Sequence, residues 1–245
     1  MRTYLFLLAA VLTAGLSAQT VYVDIDNATP GDGTSWATAY NNLNDALLGA
    51  DAGAEVWIAA GTYVTPDTAS FFIDKELTVR GGFAGTETSA DDADPAANLT
   101  ILSGDVMGND PDLTYDSTRF DDNNRVLFIT DTNDVSAYTV TLDGLIIEHG
   151  GIAADNDDSF NDLSGGGLRS YARVNVTRTT FRNNFARNGG AIFIRFGSSS
   201  GSVFDSLTVS NNFVGNNRAI YVRDNDGVTF MNSEFMKVTP SLSRT

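Results

Sequence analysis

The feature that most limits what this chain can fold into is a phrase written twice. Residues 189–195 read GGAIFIR and residues 218–223 read RAIYVR. Thr177 to Arg195 aligns with Asp205 to Arg223 at a constant offset of 28, with eight identities in nineteen positions and no gap. Asn183/Asn211, Asn184/Asn212, Phe185/Phe213, Ile192/Ile220 and Arg195/Arg223 are among the identities, and Phe193/Tyr221 and Ile194/Val222 are conservative pairs. A repeat whose period lies between about 20 and 50 residues is the mark of a solenoid.

The unit has no helical periodicity. It consists of short β-rich runs (Val174–Val176, Thr179–Phe181, Ala191–Ile194) separated by Asn and Gly turns. Runs this short cannot bury both faces alone. Laying each on its counterpart from the next repeat, about 4.8 Å away, pairs the backbone and builds one core. The expectation is an all-β protein, a single-stranded parallel β-helix. Thr139–Ile147 matches Val174–Phe181, with Leu142 facing as Val176 does and Ile147 as Phe181 does, and Val228–Phe235 repeats the pattern downstream. Val56–Ile58, Phe71–Ile73, Leu77–Val79, Leu99–Leu102 and Val126–Ile129 read as earlier strands. Acidic insertions at 89–95, 108–124 and 153–164 break their spacing. Ala39–Leu48 departs from the β pattern: Tyr40, Leu43, Leu47 and Leu48 share a helical face, Thr38 is the expected N-cap and Gly49 the stop. A helix there would cap the open first coil, so the cap is expected over about 19–55 and the coils over about 56–245.

The first eighteen residues read differently. Arg2 begins a short positive region, Tyr4–Leu16 is apolar, and Ser17-Ala18 supplies small residues. That pattern predicts a secretory signal peptide over 1–18, too short to span a bilayer, and a secreted or surface-attached mature chain without a transmembrane segment. There is no cysteine, which excludes disulfide staples, thiol catalysis and thiolate metal sites. A net charge of −16 argues against nucleic acid as a partner. A monomer is expected.

The stretch from Tyr22-Val-Asp through Gly31-Asp-Gly-Thr-Ser-Trp36 to Val56-Trp-Ile-Ala-Ala-Gly-Thr-Tyr63 resembles the start of secreted bacterial right-handed parallel β-helix proteins. Arg80-Gly-Gly-Phe-Ala-Gly-Thr-Glu-Thr88 and Thr100-Ile-Leu-Ser-Gly-Asp105 do so too. Gly189-Gly-Ala-Ile192 and Phe181-Arg-Asn-Asn184 are similar to the GGA(I/L/V) and FxxN signatures of polymorphic outer-membrane protein repeats. The resemblance spans nearly all of the mature chain. It implies a right-handed, pectin-lyase-like fold, a cell-surface or outer-membrane location, adhesion by analogy with the polymorphic relatives, and polysaccharide cleavage by analogy with pectate-lyase-like ones. Such proteins commonly run longer and end in a sorting or anchoring module. No such module is read before Ser241–Thr245, so either a truncated product or a different cap is expected.

The candidate site residues divide by chemistry. Asn183, Asn184, Asn211 and Asn212 are read as structural turn stacks, in which amides bond from coil to coil. Phe181/Val209, Phe185/Phe213 and Phe193/Tyr221 are read as stacks through the core. Arg195 and Arg223 would set two guanidinium groups on neighbouring strands, either a solvated face or, with Asp224 adjacent, a face for an anionic ligand. Asp155, Asp157 and Asp158 gather oxygens that Ca²⁺ would accept, as do Asp105, Asp110 and Asp112, and Asp24, Asp26 and Asp32; none matches an EF-hand. His149, the one histidine, stands where Asn183 and Asn211 stand in later repeats and is read as a turn residue rather than a base. Two functions follow: a non-enzymatic extracellular attachment protein whose partners are carbohydrate or other surface components, or a carbohydrate-active lyase or hydrolase on the same scaffold.

Overall fold

The computed structural model describes residues 18–66, 69–112, 118, 125–130, 138–151, 164–195, 201–215, 218–223 and 227–236. Residues 1–17 of the expected leader, Asp155, Asp157, Asp158, Asp224 and the last nine residues lie outside these. The described chain is all-β, with one short α-helix and two single 3₁₀ turns.

Three sheets carry nearly every strand. The first holds β1 (Thr20–Val23), β2 (Ala54–Ala59), β5 (Leu77–Phe83), β8 (Thr139–Asp143), β11 (Arg173–Thr177), β15 (Val203–Asp205) and β19 (Thr229–Met231). The second holds β3 (Gly61–Val64), β6 (Thr100–Ser103), β9 (Ile146–Glu148), β12 (Thr180–Arg182), β16 (Thr208–Ser210) and β20 (Glu234–Phe235). The third holds β4 (Phe71–Ile73), β7 (Leu127–Ile129), β10 (Leu168–Ser170), β14 (Ile192–Arg195) and β18 (Ile220–Arg223). A small fourth sheet pairs β13 (Phe185–Ala186) with β17 (Phe213–Val214). From β2 onward the chain visits the first, second and third sheets in that order, pass after pass, and each strand pairs in parallel with its counterpart from the neighbouring pass.

Inward side chains form columns one residue wide. Val21, Val56, Val79, Leu142, Val176, Phe204 and Phe230 are successive partners in the first sheet, and Tyr63, Leu102, Ile147, Phe181, Val209 and Phe235 in the second. The third sheet contributes Phe71, Leu127, Leu168, Ile192 and Ile220. Neighbours on a strand face opposite ways and alternate residues face in together, so a second inward column runs beside the one in the third sheet, through Ile73, Ile129, Ser170, Ile194 and Val222. Ser170 is the polar member of that second column; it is wholly buried, and its hydroxyl donates to the Ala172 carbonyl at 2.7 Å.

The corners are made of left-handed residues and close-packed backbone. Gly144, Arg178, Ser206 and Asn232 follow equivalent strands of the first sheet with φ of 69°, 45°, 56° and 47°. His149, Asn183 and Asn211 follow equivalent strands of the second with φ of 56°, 55° and 53°. Asparagine tolerates this region better than most side chains. At Gly190 a Cβ would stand 2.3 Å from the Phe213 carbonyl oxygen, which accounts for the small residues of the GGA phrase.

The helix differs from expectation. α1 spans Leu43–Gly49, and its cap is Asn42, whose side chain accepts from the Asn44 and Asp45 amides. The helix cannot begin at Ala39 because the backbone of Tyr40 is bound to β1: its amide donates to Tyr22 O and its carbonyl accepts from Asp24 N. Leu48 points to solvent, while Leu43, Ala46 and Leu47 are buried. α1 packs on β1 and β4, the first strands of their sheets. β1 itself belongs to the first sheet, so pairing starts inside the segment expected to be only a cap. Leu99 likewise falls outside its expected strand and is exposed.

Candidate functional site

Phe193 and Tyr221 stack on one another as expected, but they stand outside the main apolar cluster, Phe193 wholly buried and Tyr221 half-buried. Ile192 and Ile194 take the inward positions of β14, which turns Phe193 to the opposite face of the third sheet. There it joins another column, in which Phe72, Phe128, Arg169, Phe193 and Tyr221 are successive partners. Phe193 and Tyr221 stack with centroids 5.4 Å apart and planes 6° from parallel. The sequence reading placed this pair in the core because an unbroken apolar run does not reveal which alternate residues face in.

Arginines interleave with these rings. The Arg169 guanidinium lies 5.5 Å from the Phe128 centroid, 4.8 Å from Tyr171 and 5.9 Å from Phe193, and it donates to the Tyr171 hydroxyl. Arg125 lies 5.3 Å from Phe128, and Arg218 lies 5.0 Å from Tyr221. Arg195 sits 5.3 Å over Tyr171 and donates to its hydroxyl at 3.5 Å. β14 and β18 pair Arg195 directly with Arg223. The negative faces of the rings favour the cations of Arg125, Arg169, Arg195 and Arg218 beside them. Such a contact contributes about 0.5–2 kcal/mol, depending on how far the cation is desolvated. Arg125, Arg169, Tyr171 and Arg218 escaped the sequence reading. Arg169 holds the Phe193 position one pass earlier, but that pass is not 28 residues long.

The carboxylates gather elsewhere. Asp143 is buried at the end of β8 and accepts from Thr177 Oγ1 at 2.7 Å, Arg178 Nε at 2.9 Å and Nη2 at 2.7 Å, and Arg80 Nη1 at 3.0 Å. Burial pushes this carboxyl up, but the hydrogen bonds from Arg178 and Thr177 and the charges of Arg178 and Arg80 outweigh it. The Asp143 carboxyl is held below the usual aspartate range. Glu148, buried at the end of β9, accepts from Arg182 Nε. His149 Nδ1 stands 3.9 Å from Glu148 Oε1 and Nε2 stands 3.4 Å from Asp112 Oδ1, which also accepts from Asn183 Nδ2 at 2.7 Å. His149 thus occupies a left-handed turn position between two carboxylates.

The asparagines separate into two kinds. Asn184 and Asn212 are buried, and Asn212 Oδ1 accepts from both the Asn184 amide and Asn184 Nδ2, at 3.1 and 3.0 Å. Asn183 and Asn211 supply the turn conformation instead. Several acidic residues close their own loops. Asp105 accepts from the Asn109 and Asp110 amides, Asp24 from the Asp26 amide, and Asp32 from Thr34. Among the described residues, no three His, Asp or Glu side chains gather as a metal ion would require.

The fold thus defines a class, an all-β protein of parallel sheets visited in rotation, with arginines interleaved with rings on one sheet and arginine-bound carboxylates at strand ends of the other two. No family model matches the chain, and neither the curated proteins nor the solved structures give a match. Among the described residues, no helix is long and apolar enough to cross a membrane.

Proposed function

We propose that this chain is a secreted, cell-surface single-stranded right-handed parallel β-helix that attaches to extracellular material without turning over a substrate. Cyclic visits to three parallel sheets support the helix, and the strong right-handed preference of parallel crossovers supports its hand. One observation carries the attachment reading: the arginine–aromatic column of the third sheet. It runs across five passes in a chain of net charge −16; Arg169 and Phe193 are buried within it, while Arg195, Arg218 and the rings of Phe72, Phe128 and Tyr221 stay at least partly open to an outside partner. Among the described residues the buried carboxylates, Asp143 and Glu148, are engaged by arginines, which suits a structural role.

Adsorption to isolated cell envelopes and extracellular polysaccharide tests this reading, with released reducing ends and unsaturated products measured in parallel. Saturable adsorption that weakens about tenfold in an Arg195→Ala, Arg218→Ala double variant and falls with salt is the expected result. Steady release of sugar products would replace it with the carbohydrate-active enzyme.

A further inference from the structure

At the opposite end of the molecule from β18, an open groove of about 500 Å³ lies between the N-terminal loop, α1 and β3. Its walls include Ile25, Asn41, Asn44, Thr62, Tyr63 and Val64. Among the described residues, the lining carries no charge, in a chain where 19% of residues are charged. Carboxamides and a hydroxyl stand beside aliphatic surface: Ile25 and Val64 are 38% and 44% exposed. The floor is fixed. The Tyr63 hydroxyl donates to Ala59 O at 3.1 Å and accepts from the Ile25 amide at 3.2 Å. Burial pushes the Tyr63 phenol up, and the charges of Asp24 and Asp26 push it further, so it stays protonated and the ring stays anchored.

This chemistry narrows the ligand. An anion would meet the field of Asp24 and Asp26 with no cation in the described lining to balance it. A hard cation prefers carboxylate oxygens, which the described lining lacks. A wholly apolar ligand would leave the amides of Asn41 and Asn44 desolvated and unpaired. A sugar ring has a C–H face and a rim of hydroxyls that donate and accept, which matches a mixed amide and aliphatic wall.

We propose that this groove binds a segment of neutral polysaccharide, with Asn41, Asn44 and Thr62 meeting its hydroxyls and Ile25 and Val64 packing on a ring face. The inference rests on the extracellular attachment reading and gives it a second, uncharged contact.

Calorimetric titration of the full mature protein with cellohexaose, xylohexaose and mannohexaose tests it, with hexagalacturonate as the anionic probe. The substitutions are Asn44→Ala, Val64→Asp and Arg195→Ala; Val64 is exposed, and only the Asn44 backbone amide serves the helix cap, so the fold tolerates them. At least one neutral hexasaccharide is expected to saturate the protein. Asn44→Ala should weaken it about tenfold, the loss of one good hydrogen bond. Val64→Asp should abolish binding, and Arg195→Ala should leave it unchanged. Neutral binding that survives Val64→Asp, or that only Arg195→Ala weakens, would overturn the groove while leaving attachment standing. Failure of every neutral probe with adsorption to envelopes intact would do the same. Groove binding accompanied by chain cleavage would keep the groove and overturn the non-enzymatic reading.

Discussion

Two stretches of the same three sheets are spaced under different rules. Between β11 and β18 every sheet steps by the same length: Val176 pairs with Phe204, Phe181 with Val209 and Ile192 with Ile220. Between β3 and β9 the steps are longer and unequal, with Tyr63 paired to Leu102 and Leu102 to Ile147. Both stretches are nonetheless parallel, and both keep alternate apolar residues facing in at each level. Register is therefore held by the buried column and not by the number of residues between strands. A slip of one residue would turn every side chain to the wrong face, whereas extra length at a corner leaves the column intact.

The comparison breaks first on large core truncations. Phe181→Ala in the regular stretch should cost about 3–5 kcal/mol in denaturant unfolding, and Leu102→Ala in the irregular stretch about 2–5 kcal/mol. A Leu102→Ala cost of a few tenths would mean that the irregular stretch is loosely registered. Ile192→Ala should cost about 2–5 kcal/mol, and Ile220→Ala, at a half-buried site, should cost less. The double variant should depart from additivity by about 0.5–3 kcal/mol, because the two side chains are direct partners. Strict additivity would show that the two phrases do not support each other.

A smaller effect sharpens the role of Asp143, which ties β5 to β8 through Arg80 and reaches Thr177 and Arg178 in the regular stretch. Its carboxyl is held below the unfolded value of about 3.9, so its contribution is complete above that pH and is lost as pH falls through the lower folded value. Asp143→Asn should cost about 1–3 kcal/mol at neutral pH. Melting curves collected on acidification should fall less steeply for this variant than for the parent; parallel curves would remove Asp143 from the acid response. Asn212→Ala comes next, at about 1–3 kcal/mol, because the Asn184 amide and the Phe181 carbonyl lose a buried partner. Arg195→Ala should be the smallest, within about 1 kcal/mol, the loss of one ring contact at a partly exposed site.

Legibility in the sequence followed the same division. The offset of 28 placed Phe181 against Val209 and Ile192 against Ile220, and the matched phrases placed Leu142 against Val176, all as the registers have them. Where insertions change the step, counting fails, and Arg169 could not be aligned with Phe193. The start of α1 was misread because Tyr40 has the side chain of a helical face but a backbone engaged by β1. The Glu148–Arg182 pair and the approach of Asp112 to His149 are meetings across passes, and only a known register brings those residues together.

The constant step has an evolutionary consequence. Within its sheet each strand of the regular stretch pairs only with its counterparts in the neighbouring passes, and it presents a similar phrase to both. A tandem duplication of one such unit therefore inserts a segment whose two faces already fit their new neighbours, and a deletion rejoins two faces that fit each other. A point mutation in the column meets fixed neighbours on both sides, whereas gain or loss of a whole unit brings together faces that already pair. A whole added or removed unit therefore disturbs the buried columns less than a change of length inside a strand.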